Sequence, residues 1–287
     1  MKKWKAVLLL GIGCFFGLLL NGVYAEESEK VYTMETVVVT GTRTDQGVER
    51  IPANISIIDA EDIRNSNGKN VVDLLRSEEG VVVRDLLGTG KNAQVDLRGF
   101  GETGPFNTLV MVDGRRVNAI DLSGVDWTQI PLEQIERIEV LRGTGSVLYG
   151  DNAVGGVINI ITKIPSEKPS LAVEGILGSY DRKKGQVSMS GGKDSLAASL
   201  YASYDSSDGY RDNNEFQTKD VGGKIVFDPT AFLSLNLSGS YHSDDFDLPG
   251  PLTEEEEDEN RKNSTRPDDD GESNDGYVKL GFEVDFG

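Results

Sequence analysis

The sequence predicts a small mixed domain of helices and strands, followed by antiparallel strands of the kind that cross a membrane as part of a barrel. Three observations carry this expectation. The chain opens with an export signal, residues 51–163 mix helical and extended patterns, and residues from 170 onward alternate apolar and polar positions in segments of about ten.

The export signal is legible residue by residue. Residues 1–5 carry three lysines, residues 6–20 are fifteen uninterrupted apolar positions, and Val23 and Ala25 set small side chains before Glu26 and Glu27. Fifteen apolar residues are short for a bilayer that needs about 20, so cleavage after Ala25 is expected rather than a retained anchor. Cys14 lies inside this run with Gly11 where a lipoprotein signal favours Leu, which argues against lipid attachment. Cleavage leaves a chain without cysteine, so disulfides play no part although the protein is exported.

Composition narrows the function. A net charge of −19 argues against nucleic-acid binding, which needs a basic face. A single histidine, His242, disfavours a histidine-based active site or metal centre. No nucleophile–base arrangement or metal-ligand cluster stands out, so no enzyme, cofactor or bound metal is expected.

Within residues 51–163 the elements follow in order. Residues 55–58 read as a short strand, and Asp59 or Ala60 opens a helical turn through Ile63. Residues 70–76 are amphipathic, with Val71, Leu74 and Leu75 on one face. Residues 81–84 and 95–98 read as strands, and residues 109–117 as a hairpin around Asp113-Gly114. Pro131 starts a short helix, and strands follow at 138–141 and 157–161.

Beyond residue 170 the period changes to two. Leu233, Leu235 and Leu237 alternate with Ser234, Asn236 and Ser238, and Val278, Leu280 and Phe282 alternate with Lys279, Gly281 and Glu283. Six such segments can be traced, residues 171–180 being the weakest. Lipid-facing barrel strands alternate in this way, and so does a water-soluble sandwich. Tyr180, Tyr204, Tyr241 and Tyr277 at segment ends fit an interfacial girdle. Residues 248–274 form a long acidic insert with six consecutive acidic residues at 254–259, expected as a solvated loop whose oxygens offer calcium ligands as an alternative.

Several stretches carry a resemblance to a known family. Residues 35–40 (Glu35, Thr36, Val37, Val38, Val39, Thr40) resemble a TonB box. Residues 95–100 and 109–114 resemble plug-domain motifs, and the run from Ile130 to Gly143, continued through residues 146–160, is the most specific. Together they resemble the TonB-dependent outer-membrane receptors. The resemblance implies an α+β plug domain followed by antiparallel transmembrane β-strands of an incomplete 22-stranded barrel, since a plugged lumen needs about that many strands. It implies residues 1–25 as signal peptide, 26–45 as a mobile segment with the box, 46–163 as plug, and 170–287 as about six wall strands with an extracellular insert at 248–274.

The implied function is active uptake of an iron chelate across the outer membrane, with cobalamin uptake, a soluble periplasmic module or a non-functional fragment as alternatives. The partners implied are TonB, the chelate and outer-membrane lipid. The β-branched Val37–Val38–Val39 run keeps the box extended, ready to add to the edge of a partner sheet. Arg98 and Arg142 are expected to meet carboxylates of the barrel wall, and Arg84 and Phe106 are candidate ligand contacts. The length, and a pattern that stops at Gly287, lead to the expectation of a truncated chain that forms no pore alone.

Overall fold

The computed structural model describes residues 37–38, 46–47, 54–121 and 123–285. The expected signal peptide at residues 1–25 and most of the 35–40 segment lie outside the described residues. Of that segment, Val37–Val38 (β1) pairs antiparallel with Gln46–Gly47 (β2).

The first domain is built on a five-stranded sheet of order β3-β8-β9-β6-β7, with β3 at Asn54–Asp59, β6 at Thr108–Val112, β7 at Arg115–Arg116, β8 at Ile135–Arg142 and β9 at Gly156–Thr162. The β6–β9 pair is parallel and the others antiparallel. A separate hairpin joins β4 (Val81–Arg84) to β5 (Gln94–Leu97). β6 and β9 are mostly apolar because both faces are covered; Val110, Ile158 and Ile160 are all within the core, and Asn159 is a buried polar exception.

Two helices cover this sheet. Helix α1 (Ala60–Asn65) starts at Asp59, which accepts from the Glu61 and Asp62 amides, while Asp62 returns a bond to the Asp59 amide. Helix α2 (Val71–Arg76) starts at Asn70 and buries Val71, Val72, Leu74 and Leu75, which join Trp127, Ile138 and Val140 in one core. The expected single-turn helix after Pro131 forms as a 3-10 turn, Leu132–Gln134. Two further one-turn helices, α3 (Gly104–Asn107) and α4 (Ser146–Tyr149), are too short for a periodicity to reveal.

The second part is a six-stranded antiparallel meander in sequence order: β10 (Ser170–Leu177), β11 (Lys183–Lys193), β12 (Leu196–Ser207), β13 (Phe216–Thr230), β14 (Leu233–Asp247) and β15 (Asp270–Val284). No strand among the described residues covers the free edges of β10 and β15. β13, β14 and β15 each hold 15 residues, more than the 9–11 a tilted strand needs to cross a bilayer. One end carries short turns at 194–195 and 231–232, and the other carries 178–182, 208–215 and 248–269.

The alternation sorts the two faces. Leu171, Val173, Val221, Ile225, Leu237, Val278, Leu280 and Phe282 are exposed on one side, as a lipid-facing surface requires. Lys184, Asp220, Lys224, His242, Asp244 and Lys279 lie on the other, towards the first domain. Tyr277 departs from the expected girdle: it faces inward, with the Arg115 guanidinium 4.1 Å above its ring. It falls one position out of phase with Val278 and Leu280, and in a period-two strand that reverses its side.

The acidic insert is ordered. β15 pairs with β14 from Asp270 onward, so the loop ends earlier than the composition suggested. Within it, Thr253 caps helix α5 (Glu254–Asn260) through the Glu256 amide, and Glu256 accepts in return from the Thr253 amide and hydroxyl, which holds its carboxyl below the usual range. From the neighbouring loop, Arg211 donates to the carbonyls of Gly250 at 2.6 Å and Asn263 at 2.7 Å. Asn213 donates to the carbonyls of Arg266 and Asp269. Arg211→Gln is therefore expected to loosen the insert, raising tryptic cleavage at Arg261 and Lys262 several-fold without changing cleavage in the sheet.

Candidate functional site: the cavity and polar contacts between plug and wall

Where the first domain meets the inward face of the strands, the contacts are charged rather than apolar. This follows from the alternation: a strand that offers lipid its apolar positions has only polar ones left for the lumen. Near the long-loop end, Lys184 of β11 pairs with Glu133. Midway along the strands, Lys224 of β13 reaches the Asp113 carboxylate at 3.0 Å and the Thr162 hydroxyl at 2.8 Å. Lys279 of β15 donates to the Asp113 carbonyl.

Asp113 can serve two strands at once because of its backbone. It sits in the Asp-Gly turn at φ 47, a left-handed conformation that Asp tolerates better than most residues. From there its carboxylate also accepts the Thr162 amide at 2.9 Å and the Thr162 hydroxyl at 2.6 Å, tying the turn to β9.

A cavity of about 400 Å³ opens between the two parts. From the first domain it is lined by Leu86, Leu87, Gly88, Thr89, Trp127 and Thr128, and from the strands by Tyr180, Arg182, Asp205, Tyr210, Phe216 and Asp220 among others. Arg182 is bound to Asp205 at 2.8 Å, and Tyr180 meets Tyr210 edge-on at 5.9 Å. Charged and aromatic groups therefore share one concave surface, which suits a bulky ligand with both polar and flat parts.

The loop at 85–93 is preformed. The Asp85 carboxylate accepts the amides of Leu87 at 3.2 Å, Gly88 at 2.9 Å and Gly90 at 2.8 Å. Its far end is fixed by the Trp127 indole, which donates to the Ala93 carbonyl at 2.9 Å while the ring is almost fully buried. Trp127→Phe removes this donor and leaves a buried carbonyl unpaired, so the plug should lose about 1–3 kcal/mol in denaturant unfolding.

Of the arginines expected to meet the wall, Arg142 pairs inside its own domain, with the Glu78 carboxylate at 3.1 Å and the Glu79 carbonyl at 2.7 Å. Arg98 is exposed at φ 75 beside Gly143. Arg84 ends β4 and Phe106 lies in α3, and the cavity lining includes neither. The loop containing Leu86 to Thr89 does reach the cavity. Sequence reading missed the wall lysines 184, 224 and 279 as plug contacts. Their signal was available: each is a cation on the polar, inward phase of its strand.

Residues 47–157 match the family model described as TonB-dependent Receptor Plug Domain. Residues 47–157 are thus a plug domain of the TonB-dependent receptor type. The chain corresponds to the N-terminal part of those receptors: a plug domain followed by antiparallel strands like those of their barrels. The vitamin B12 transporter BtuB of Vibrio cholerae serotype O1 is 39% identical over 163 residues, covering 57% of this chain and 26% of that protein. The iron-regulated outer membrane virulence protein of the same species is 39% identical over 155 residues, covering 51% of this chain and 22% of that protein.

Among solved structures, the unliganded ferric citrate transporter FecA superposes with a TM-score of 0.72 at 22% identity, over 82% of this chain and 38% of that one, a likeness of fold. The siderophore receptor PirA of Pseudomonas aeruginosa matches with a TM-score of 0.53 at 32% identity, over 67% of this chain and 34% of that one. The chain thus spans 26% and 22% of the length of the two curated relatives from Vibrio cholerae.

Proposed function

We propose that this chain supplies the plug and first wall strands of an outer-membrane receptor that imports a bulky, scarce nutrient, energised by TonB. The observation that carries the reading is the pairing of a plug domain with strands whose outer face is apolar and whose inner face holds the plug by ion pairs. In this reading residues 1–25 are the export signal and residues 26–45 carry the TonB handle at Glu35 to Thr40. Residues 46–163 form the plug, and residues 170–287 form wall strands whose long loops, the acidic insert at 248–274 included, face outward. Arg98 and Arg142 would meet wall strands beyond those described, and Arg84 and Phe106 would meet ligand at the plug's outer apex. The role is transport rather than catalysis.

The ligand we favour is an iron chelate. Two relatives whose names or titles concern iron or siderophores support it. Vitamin B12 is the second reading, favoured by the relatives named for it. Growth of the native cell with and without the gene, on single ferric chelates as sole iron source and on cobalamin where cobalamin is required, separates them. Loss of growth on one chelate alone supports the first reading; loss on cobalamin alone replaces it; no loss on any nutrient overturns both.

A further inference from the structure

The cavity adjoins a buried charge cluster that none of the contacts above requires. Lys91, carried at the end of the Asp85-organised loop, is 5% exposed, with its ammonium 2.6 Å from the Asp126 carboxylate and in contact with that of Asp244 on β14. It also lies 4.7 Å from the Phe246 ring centre. Asp244, 2% exposed, faces His242 Nε2 at 3.2 Å and lies 3.2 Å from the Thr128 hydroxyl, which donates to Asp126 at 2.5 Å. The other ring nitrogen, Nδ1, lies 2.7 Å from Asp220 on β13. The Asp220 carboxylate accepts the Ser203 hydroxyl and lines the cavity.

The charge count constrains this cluster. Three carboxylates (Asp126, Asp220, Asp244) face one permanent cation, Lys91. A neutral imidazole donates from one nitrogen only, whereas imidazolium donates from both, so the bracket of Asp220 and Asp244 selects His242 as the second cation. Each charge is then held by the others, and removing any one leaves its partner buried and uncompensated. The chain of contacts is also directional: cavity wall to Asp220, to His242, to Asp244, to Lys91, to the plug loop. Because Asp85 keeps that loop folded by itself, the loop can leave the wall as a unit.

We propose that Lys91, Asp126, Asp220, His242 and Asp244 form a charge latch holding the 85–93 loop of the plug to β13 and β14, released when a donor or cationic group in the cavity takes over Asp220. The latch stands on these side chains alone and holds whether or not the chain imports a nutrient.

Hydrogen exchange of the full chain in detergent micelles, followed in peptides over 85–93, 240–247 and 156–162, tests this. Lys91→Met and Asp244→Asn should each raise exchange at least tenfold in the first two segments and leave 156–162 at wild-type rates. The double variant should exchange no faster than either single one, because both cut the same link. Asp220→Asn, which withdraws the negative charge facing His242, should loosen the 85–93 segment although it lies on a different strand from Asp244. If a charge variant also speeds exchange in 156–162, it has failed to fold; Thr128→Val, which removes one hydroxyl, then serves, with a smaller rise confined to the same two segments. Unchanged exchange at 85–93 in Lys91→Met and Thr128→Val, or additive effects in the double variant, overturns the latch. A silent Asp220→Asn overturns its link to the cavity.

Discussion

Gly156→Ala should cost the plug about 3 kcal/mol or more, measured by denaturant unfolding. Gly156 begins β9 and pairs with Thr108 on one side and Arg142 on the other. A Cβ at this position would lie 2.3 Å from the Leu141 carbonyl oxygen and 2.5 Å from Leu97 Cδ1. The nearest obstacle is backbone, fixed in the sheet, and cannot rotate away as a side-chain tip could. Relief requires β8 and β9 to separate, which weakens the centre of the five-stranded sheet; overpacking a core typically costs about 1–3 kcal/mol even where side chains can adjust. Gly185→Ala, with nothing within 4 Å of the new methyl, is the matched control and should stay within about 0.5 kcal/mol of wild type.

Asp113→Ala should destabilise the docked plug by about 3–5 kcal/mol. It strips the Thr162 amide and hydroxyl of their acceptor, leaves the Lys224 ammonium without a carboxylate in a site where both side chains are 18% exposed, and puts Ala at a left-handed φ of 47. Asp113→Asn tolerates that backbone and keeps an acceptor oxygen, so it should lose less, isolating the charge. Combining Asp113→Ala with Lys224→Met should recover part of the loss, since the stranded cation is then gone. Equal instability in the single and double variants would contradict a role for the ion pair.

Legibility in the sequence divided along physical lines. Elements whose pattern is local were readable: the amphipathic turn burying Val71, Leu74 and Leu75, the Asp-Gly hairpin, and the strict alternation of β14 and β15. The family followed from the run between Ile130 and Ile160, and the matched plug region spans it. What resisted reading depends on pairing at a distance. The parallel β6–β9 contact joins segments nearly fifty positions apart, and nothing within either strand encodes that choice. The acidic insert was read as solvated loop because its charge dominates, yet Arg211, about forty residues before its carbonyl partner Gly250, orders it.

The site was the least legible part. The resemblance set Arg98 and Arg142 against carboxylates of wall strands beyond the described ones, and it gave no sign of the ion pairs described, in which Lys184 and Lys224 of the wall meet plug carboxylates and Lys91 of the plug meets Asp244 of the wall. A period-two strand states that Lys184 and Lys224 face inward but not what they meet. His242, set aside as a lone histidine, is buried between two carboxylates; one histidine is enough for a bridge when the acids come from β13 and β14.

The central claim is that the plug is seated on the inward face of a membrane-embedded strand wall. Glu133→Cys combined with Lys184→Cys, treated with a short bifunctional thiol reagent in the native cell and followed by fractionation, tests it most directly, because these two side chains touch across the interface. An intramolecular cross-link recovered in the outer-membrane fraction is the expected result. Recovery in the soluble periplasmic fraction, or no cross-link in protein that is present in the outer membrane, would contradict it.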